Sequence, residues 1–133
     1  MKTQKNTQYK GITLIELTLV ISIVLVLVST TTIGISYYRD WQTGLAAGED
    51  LKAVYQAQKL FLADNPTTPL ASITAANIIA HLPNGMTAIP VVKGLDDEAL
   101  TIDFNSSPPR FTSGGATYDK SGSNDNSVWD AGK

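Results

Sequence analysis

Two groups of side chains have the types and spacing to do chemistry, and they lie near opposite ends of the 133-residue chain. The first is a single carboxylate, Glu16, set in an apolar run where no other charge, no proline and no glycine occurs from Ile12 to Val28. An ionised carboxylate in apolar surroundings is costly unless a partner meets it. Glu16 therefore needs either a cation beside it or a path to a polar surface. The second group is the loop over residues 119–130, where Asp119, Ser121, Asp125 and Asp130 are interleaved with glycine and asparagine. Calcium takes about six to eight oxygens, and such a loop can supply them from carboxylates, hydroxyls and backbone carbonyls. The spacing is not that of an EF-hand, because glycine falls at the fourth position and no late glutamate comes after it. Loops of Asp, Asn, Ser and Gly also serve as plain solvated turns. A calcium site and a solvated turn both stand as readings at this point.

The remaining titratable groups do not assemble into a catalytic pattern. His81 is the one histidine. It falls at the end of a short helix, where a capping or surface role is usual. Catalysis there would need a nucleophile and an orienting acid, and no motif supplies them. Asp96, Asp97 and Glu98 are consecutive, so they form a solvated acidic turn and do not face one another across a substrate. No phosphate loop, dinucleotide fingerprint or zinc spacing is present. The expectation is that the protein is not an enzyme.

Charge sets the orientation. Lys2, Lys5 and Lys10 give residues 1–11 a charge of +3, against −2 for the whole chain, which leaves −5 on residues 12–133. An acidic balance argues against a nucleic-acid surface, which would cluster Lys and Arg. Basic residues just before an apolar run place the N-terminus in the cytoplasm and the chain beyond the run outside it. The chain has no cysteine, so no disulfide holds the exported part.

The elements that must position these groups can be read from periodicity. A helix over residues 12–35 would be about 36 Å long, enough to cross a hydrocarbon core of about 30 Å. Hydroxyls at Ser29, Thr30, Thr31 and Thr32 are expected to bond back to carbonyls one turn earlier. With Gly34 they make residues 29–34 the weakest part of the helix, although a continuous helix is expected in the isolated subunit. Tyr37, Tyr38 and Trp41 fall where interfacial aromatics belong. Beyond them Trp41, Leu45, Gly48, Leu51, Val54, Tyr55, Gln58 and Leu62 recur at three- and four-residue steps. One helix over residues 12–62 is the simplest reading, greasy all round over 12–36 and one-sided over 37–63. Pro66 stops it by disfavouring helix at Asn65.

A short helix is expected over residues 72–82, capped by Ser72 or Thr74, with Ile73, Ile78, Ile79 and Leu82 on its apolar face. Pro83-Asn84-Gly85 is a turn. Residues 86–92 are expected to form a short strand broken at Pro90, and residues 93–98 an exposed loop. Residues 100–104 alternate and form the clearest strand. Residues 110–112 and 116–118 flank Gly114-Gly115 as a hairpin. Trp129 is expected to fold back and anchor the polar tail, residues 119–133. The fold class is α+β: a long N-terminal helix whose one-sided half packs on a small antiparallel sheet spanning residues 86–118. Its greasy half needs lipid, or copies of itself, to cover it.

At Gly11-Ile12-Thr13-Leu14-Ile15-Glu16-Leu17, with the basic stretch before and the apolar run after, the chain resembles the prepilins of the type IV pilin-like family. That family includes pilus subunits and the pseudopilins of type II secretion. The resemblance covers residues 1–38, and Ile12 stands where the family usually has phenylalanine. It implies that residues 1–11 are a leader removed after Gly11 by a prepilin peptidase. It implies N-methylation of the new N-terminus at Ile12. It also implies that Glu16, fifth in the mature chain, meets the N-terminal amine of a neighbouring subunit during assembly. The implied partners are copies of itself, other pilin-like subunits, the peptidase-methylase and an inner-membrane assembly platform. The implied location is the bacterial inner membrane, with residues 37–133 outside it. Short length, lack of a cysteine pair and an acidic tail favour a pseudopilin, with a type IV pilus subunit as the alternative. A membrane-anchored extracytoplasmic binding domain that never polymerises is the alternative of another class. An ordinary secretory signal is a further reading, but its apolar core is shorter and ends in a small-residue cleavage site.

Overall fold

The computed structural model of the protein describes residues 11–123 and 126–132. Thr13 starts the long helix. Its carbonyl accepts the N–H of Leu17 at 3.1 Å, and its hydroxyl accepts the N–H of Glu16 at 3.3 Å. Those are the two bonds of an N-cap. Helix α1 then runs over Leu14–Asp64, 51 residues. It ends where Asn65 turns back, its backbone N–H and its side-chain amide both donating to the Phe61 carbonyl, at 2.9 and 3.0 Å. Pro66 comes next and removes the following donor.

The chain divides into two compact units after Tyr37. In the first, every described residue is exposed. The helix does not break at residues 29–34. Ser29, Thr30, Thr31 and Thr32 each donate to a carbonyl one turn earlier, at 2.7–3.1 Å. Thr18, Ser22 and Ser36 do the same. These bonds are local to the helix, so they satisfy the hydroxyls without interrupting it.

In the second unit α1 buries Gly44, Ala47, Gly48, Leu51, Val54, Ala57, Gln58 and Phe61. The expected face is thus turned by about one residue: Gly48, Leu51, Val54 and Gln58 hold, but Trp41 is exposed and Leu45, Tyr55 and Leu62 are half-buried. The physical reason is size. Gly44, Ala47, Gly48 and Ala57 let other segments approach the helix axis, whereas larger side chains would hold them off.

The sheet has four antiparallel strands in sequence order: β1 Val92–Lys93, β2 Ala99–Asp103, β3 Arg110–Ser113 and β4 Ala116–Thr117. Leu100, Ile102, Phe111 and Tyr118 face the helix side, where Ala47 and Leu51 of α1 and Val128, Trp129 and Ala131 of the tail complete one core cluster. A second cluster joins Val54, Ala57 and Phe61 to Ile73, Ile78 and Leu82, with Ile102 touching both. This is an α+β arrangement with one long helix and a small antiparallel sheet.

Three expected elements change. The helix expected over 72–82 is only five residues, α2 Ala75–Ile79, preceded by a tight turn at Leu70–Ser72. Thr74 caps it together with Asn77. It stops early because Pro83 forces Leu82 to an extended conformation, φ −65° and ψ 140°. Of residues 86–92 only Val92 enters a strand, because Pro90 has no N–H to give a ladder. Lys93 lies in that strand and not in the loop expected there. The Gly114-Gly115 hairpin forms as read, with both glycines at positive φ.

Candidate functional site

Gly11, Ile12 and Glu16 lie together at the N-terminal end of α1. A side chain at Gly11 would meet nothing within 4 Å among the described residues, and Ile12 is 75% exposed. The Gly11–Ile12 bond precedes the helix, and no other described residue covers it. Glu16 occupies the third position of the first turn, where the partial positive charge of unsatisfied N–H groups favours a carboxylate. Thr13-x-x-Glu16 is also the spacing of a capping box, in which a threonine and a glutamate satisfy each other's backbone donors. Sequence reasoning passed over that role of Thr13, although the spacing was there to be read.

The helix that carries this end contains a window of 18 residues with mean hydropathy 2.3, none of it buried. It is one helix long and apolar enough to span a membrane. Leu25, Val26 and Leu27 are each about 60% exposed, so nothing in the described residues covers the apolar half.

The tail is held differently. Trp129 is 2% exposed, packed edge-on against Tyr118 and Phe111 at ring distances of 5.2 and 6.5 Å. Its backbone N–H donates to the carbonyl of Gly44 at 3.0 Å. A methyl group at Gly44 would come within 2.5 Å of the Trp129 indole nitrogen, and one at Gly48 would strike the Ser127 carbonyl. The two glycines are therefore the seat of the tail, a role the sequence reading did not assign. Pairs of small residues one turn apart were the available signal.

The residues expected to hold calcium are engaged with backbone donors. Asp119 Oδ1 accepts the N–H of Ser121 at 2.8 Å and lies 2.7 Å from its hydroxyl. Asp130 Oδ1 accepts from Ser127 and Gly132, and its Oδ2 from Asn126, at 2.6–3.1 Å. Asp125 lies outside the described residues. No group of three or more His, Cys, Asp or Glu side chains suited to a metal occurs among the described residues. Asp119 and Asp130 do line one cavity of about 510 Å³, with Arg110, Pro109 and Trp129. One wall of it, the loop before β3, is tied to α1 through Gln58, whose Nε2 donates to the carbonyls of Phe104 and Ser106 at 2.7 and 2.8 Å.

His81 is half-buried and bridges α2 to the end of α1. Its Nδ1 is 2.9 Å from the Asn77 carbonyl and its Nε2 3.2 Å from Asp64, with the ring edge-on to Phe61. No serine or threonine hydroxyl bonds to it among the described residues, so it clasps two helix ends. In the acidic turn Lys93 reaches Asp97 at 3.2 Å, and Glu98 accepts a bond from Ser113. Asp50, on the buried half of α1, has its carboxyl raised above the usual 3.8 by burial and then by Glu49 beside it.

No family model matches the chain, and neither does any curated protein or solved structure.

Proposed function

We propose that the protein is a pilin-like structural subunit that is cut after Gly11, N-methylated at Ile12 and polymerised through residues 12–36 into a type II secretion pseudopilus at the bacterial inner membrane. The observation that carries this reading is the Gly11-to-Glu16 motif running directly into a long apolar helix with no cover of its own.

Cleavage would free an amine at Ile12, four residues from Glu16. In a bundle of such helices, away from water, opposite charges attract far more strongly than at a surface. Desolvating both charges offsets much of that attraction. What the pair supplies is registry. A subunit shifted along the axis leaves one charge buried and unpaired, at a cost of about 3–5 kcal/mol. The remaining domain would decorate the fibre.

Mass spectrometry of the mature chain is the first test, with a methylated Ile12 at its start expected. A chain beginning at Met1, or beyond Ser29, would exclude the reading. Glu16→Ala should still be processed but should give no filaments by electron microscopy. A type IV pilus subunit is the nearest relative of this reading, and a fibre extending beyond the cell would favour it.

A second reading, a membrane-anchored extracytoplasmic binding domain, draws on the 510 Å³ cavity beside Arg110, Asp119 and Asp130. The calcium reading draws on Asp119, Ser121, Asp125 and Asp130, of which Asp119 and Asp130 line that cavity. A calorimetric titration with no heat, and no rise in melting temperature with calcium, would remove the metal.

A further inference from the structure

Residues 17–38 form a run of 22 without a charged residue, closed by Glu16 on one side and Arg39 on the other. In an α-helix that run is about 33 Å long, against about 30 Å for a hydrocarbon core. The helix is unbroken across it. All seven of its serines and threonines donate to their own helix carbonyls, so no side chain from Leu17 to Ser36 requires water.

Three large aromatics stand at its second end. Tyr37, Tyr38 and Trp41 are 74%, 57% and 50% exposed. The rings of Tyr38 and Trp41 are 6.1 Å apart, and the Tyr38 hydroxyl accepts a bond from Gln42 at 3.1 Å. Each ring has an apolar body and a polar tip, the combination that favours the headgroup region of a bilayer. Arg39, between them in sequence, carries the guanidinium that suits a phosphate oxygen.

We propose that residues 37–41 form a collar in the lipid headgroups that sets the depth of the helix, and that this depth puts Glu16 in the opposite headgroup region, outside the hydrocarbon. Lipid is the occupant of the aromatic patch because the patch continues a lipid-length span and ends it with a cation. Glu16 lies 21 residues before Tyr37, about 32 Å along the helix. Its carboxylate is then hydrated while the subunit waits in the membrane. The cost of burying it arises only when the subunit leaves the bilayer for a polymer. This inference rests on the membrane-spanning part of the function proposed above and does not depend on polymerisation.

The chain has no cysteine, so single cysteines can report position. The full-length Trp129→Phe protein, with Trp41 its sole tryptophan, would be reconstituted in phosphatidylcholine–phosphatidylglycerol vesicles carrying nitroxide lipids. The nitroxide would sit on the headgroup or midway down the acyl chain. Headgroup nitroxide should quench Trp41 about twofold more than mid-chain nitroxide. A bimane label on Leu17→Cys should show the same preference, and one on Leu27→Cys the reverse. Trp41→Phe protein, retaining the buried Trp129, should be quenched by neither, so its difference from wild type reports Trp41 with the tail anchor intact, whatever Trp129→Phe does to folding. A Leu17→Cys label quenched best from mid-chain would put Glu16 in the hydrocarbon and overturn the proposal. So would a Trp41 quenched by neither, whether water or a second copy covers the ring. Protein that fails to float with the vesicles would overturn the spanning reading itself.

Discussion

The two halves of α1 answer the same problem, what to do with apolar side chains, in opposite ways. Residues 17–38 carry apolar side chains on all sides and leave all of them exposed. Residues 44–61 place glycine and alanine among the apolar positions, and there eight residues are buried against the sheet, the tail and the α2 region. The difference shows that hydrophobicity alone does not decide which part of a helix forms a core. In the second half small residues admit neighbours from the same chain. In the first half no described segment of the chain packs on the helix, not even at Gly34, so cover has to come from lipid or from other molecules.

The most direct way to break this contrast is to make one substitution in both halves. Leu51→Ala removes a side chain with 0% exposure and should cost about 2–5 kcal/mol. At about 4–8 °C per kcal/mol for a domain of this size, calorimetry in detergent would register a large fall in melting temperature. Leu25→Ala, at 62% exposure, should change the same transition by less than about 0.5 kcal/mol. Equal losses would mean that the first half has a folded partner within the chain. Gln58→Met comes next. It would leave the Phe104 and Ser106 carbonyls without their donor, at about 1–3 kcal/mol for each group left buried and unpaired. Urea unfolding would measure it.

A paired glycine test sharpens the contrast further. Gly48→Val should cost about 1–3 kcal/mol by overpacking and should red-shift Trp129 emission as the tail lifts. Gly34→Val, with nothing within 4 Å of the added carbon, should leave both unchanged. The smallest effect is expected at Asp50. Its folded-state carboxyl is raised above 3.8 by burial, then by Glu49, so ionising it opposes folding. Stability is therefore lost as pH rises through the raised value and fully present below 3.8. Asp50→Asn should melt slightly higher than wild type at pH 7, and the two curves should converge in acid. A gap that persists at low pH would assign the effect to packing.

Much of this was legible in the sequence. The length of α1, its stop at Asn65-Pro66, the back-bonding hydroxyls and the Gly114-Gly115 turn obey local rules that tertiary contacts do not override. The phase of the buried face was not legible. Trp41 and Leu62 look like core residues by type, yet the helix meets its neighbours through Gly44, Ala47 and Ala57, a choice that depends on what docks there. The strand expected over residues 86–92 shrank to β1 at Val92–Lys93, whose two residues have no period to read, and the shortness of α2 escaped because Pro83 acts back along the chain. At the N-terminal site the positions of Gly11, Ile12 and Glu16 were readable from their spacing, whereas the seat of the tail depended on a meeting of Gly44 with Trp129 across 85 residues of chain.

The inward-turned hydroxyls between Leu17 and Tyr38 carry a mechanical consequence. With every serine and threonine committed to its own backbone, the stretch from Leu17 to Ser36 has no side-chain donor left to snag on whatever lies alongside. A neighbour sliding lengthwise over it meets a nearly frictionless apolar surface, and the stops lie at its two ends: Glu16 at one, and the tyrosine hydroxyls and Arg39 at the other.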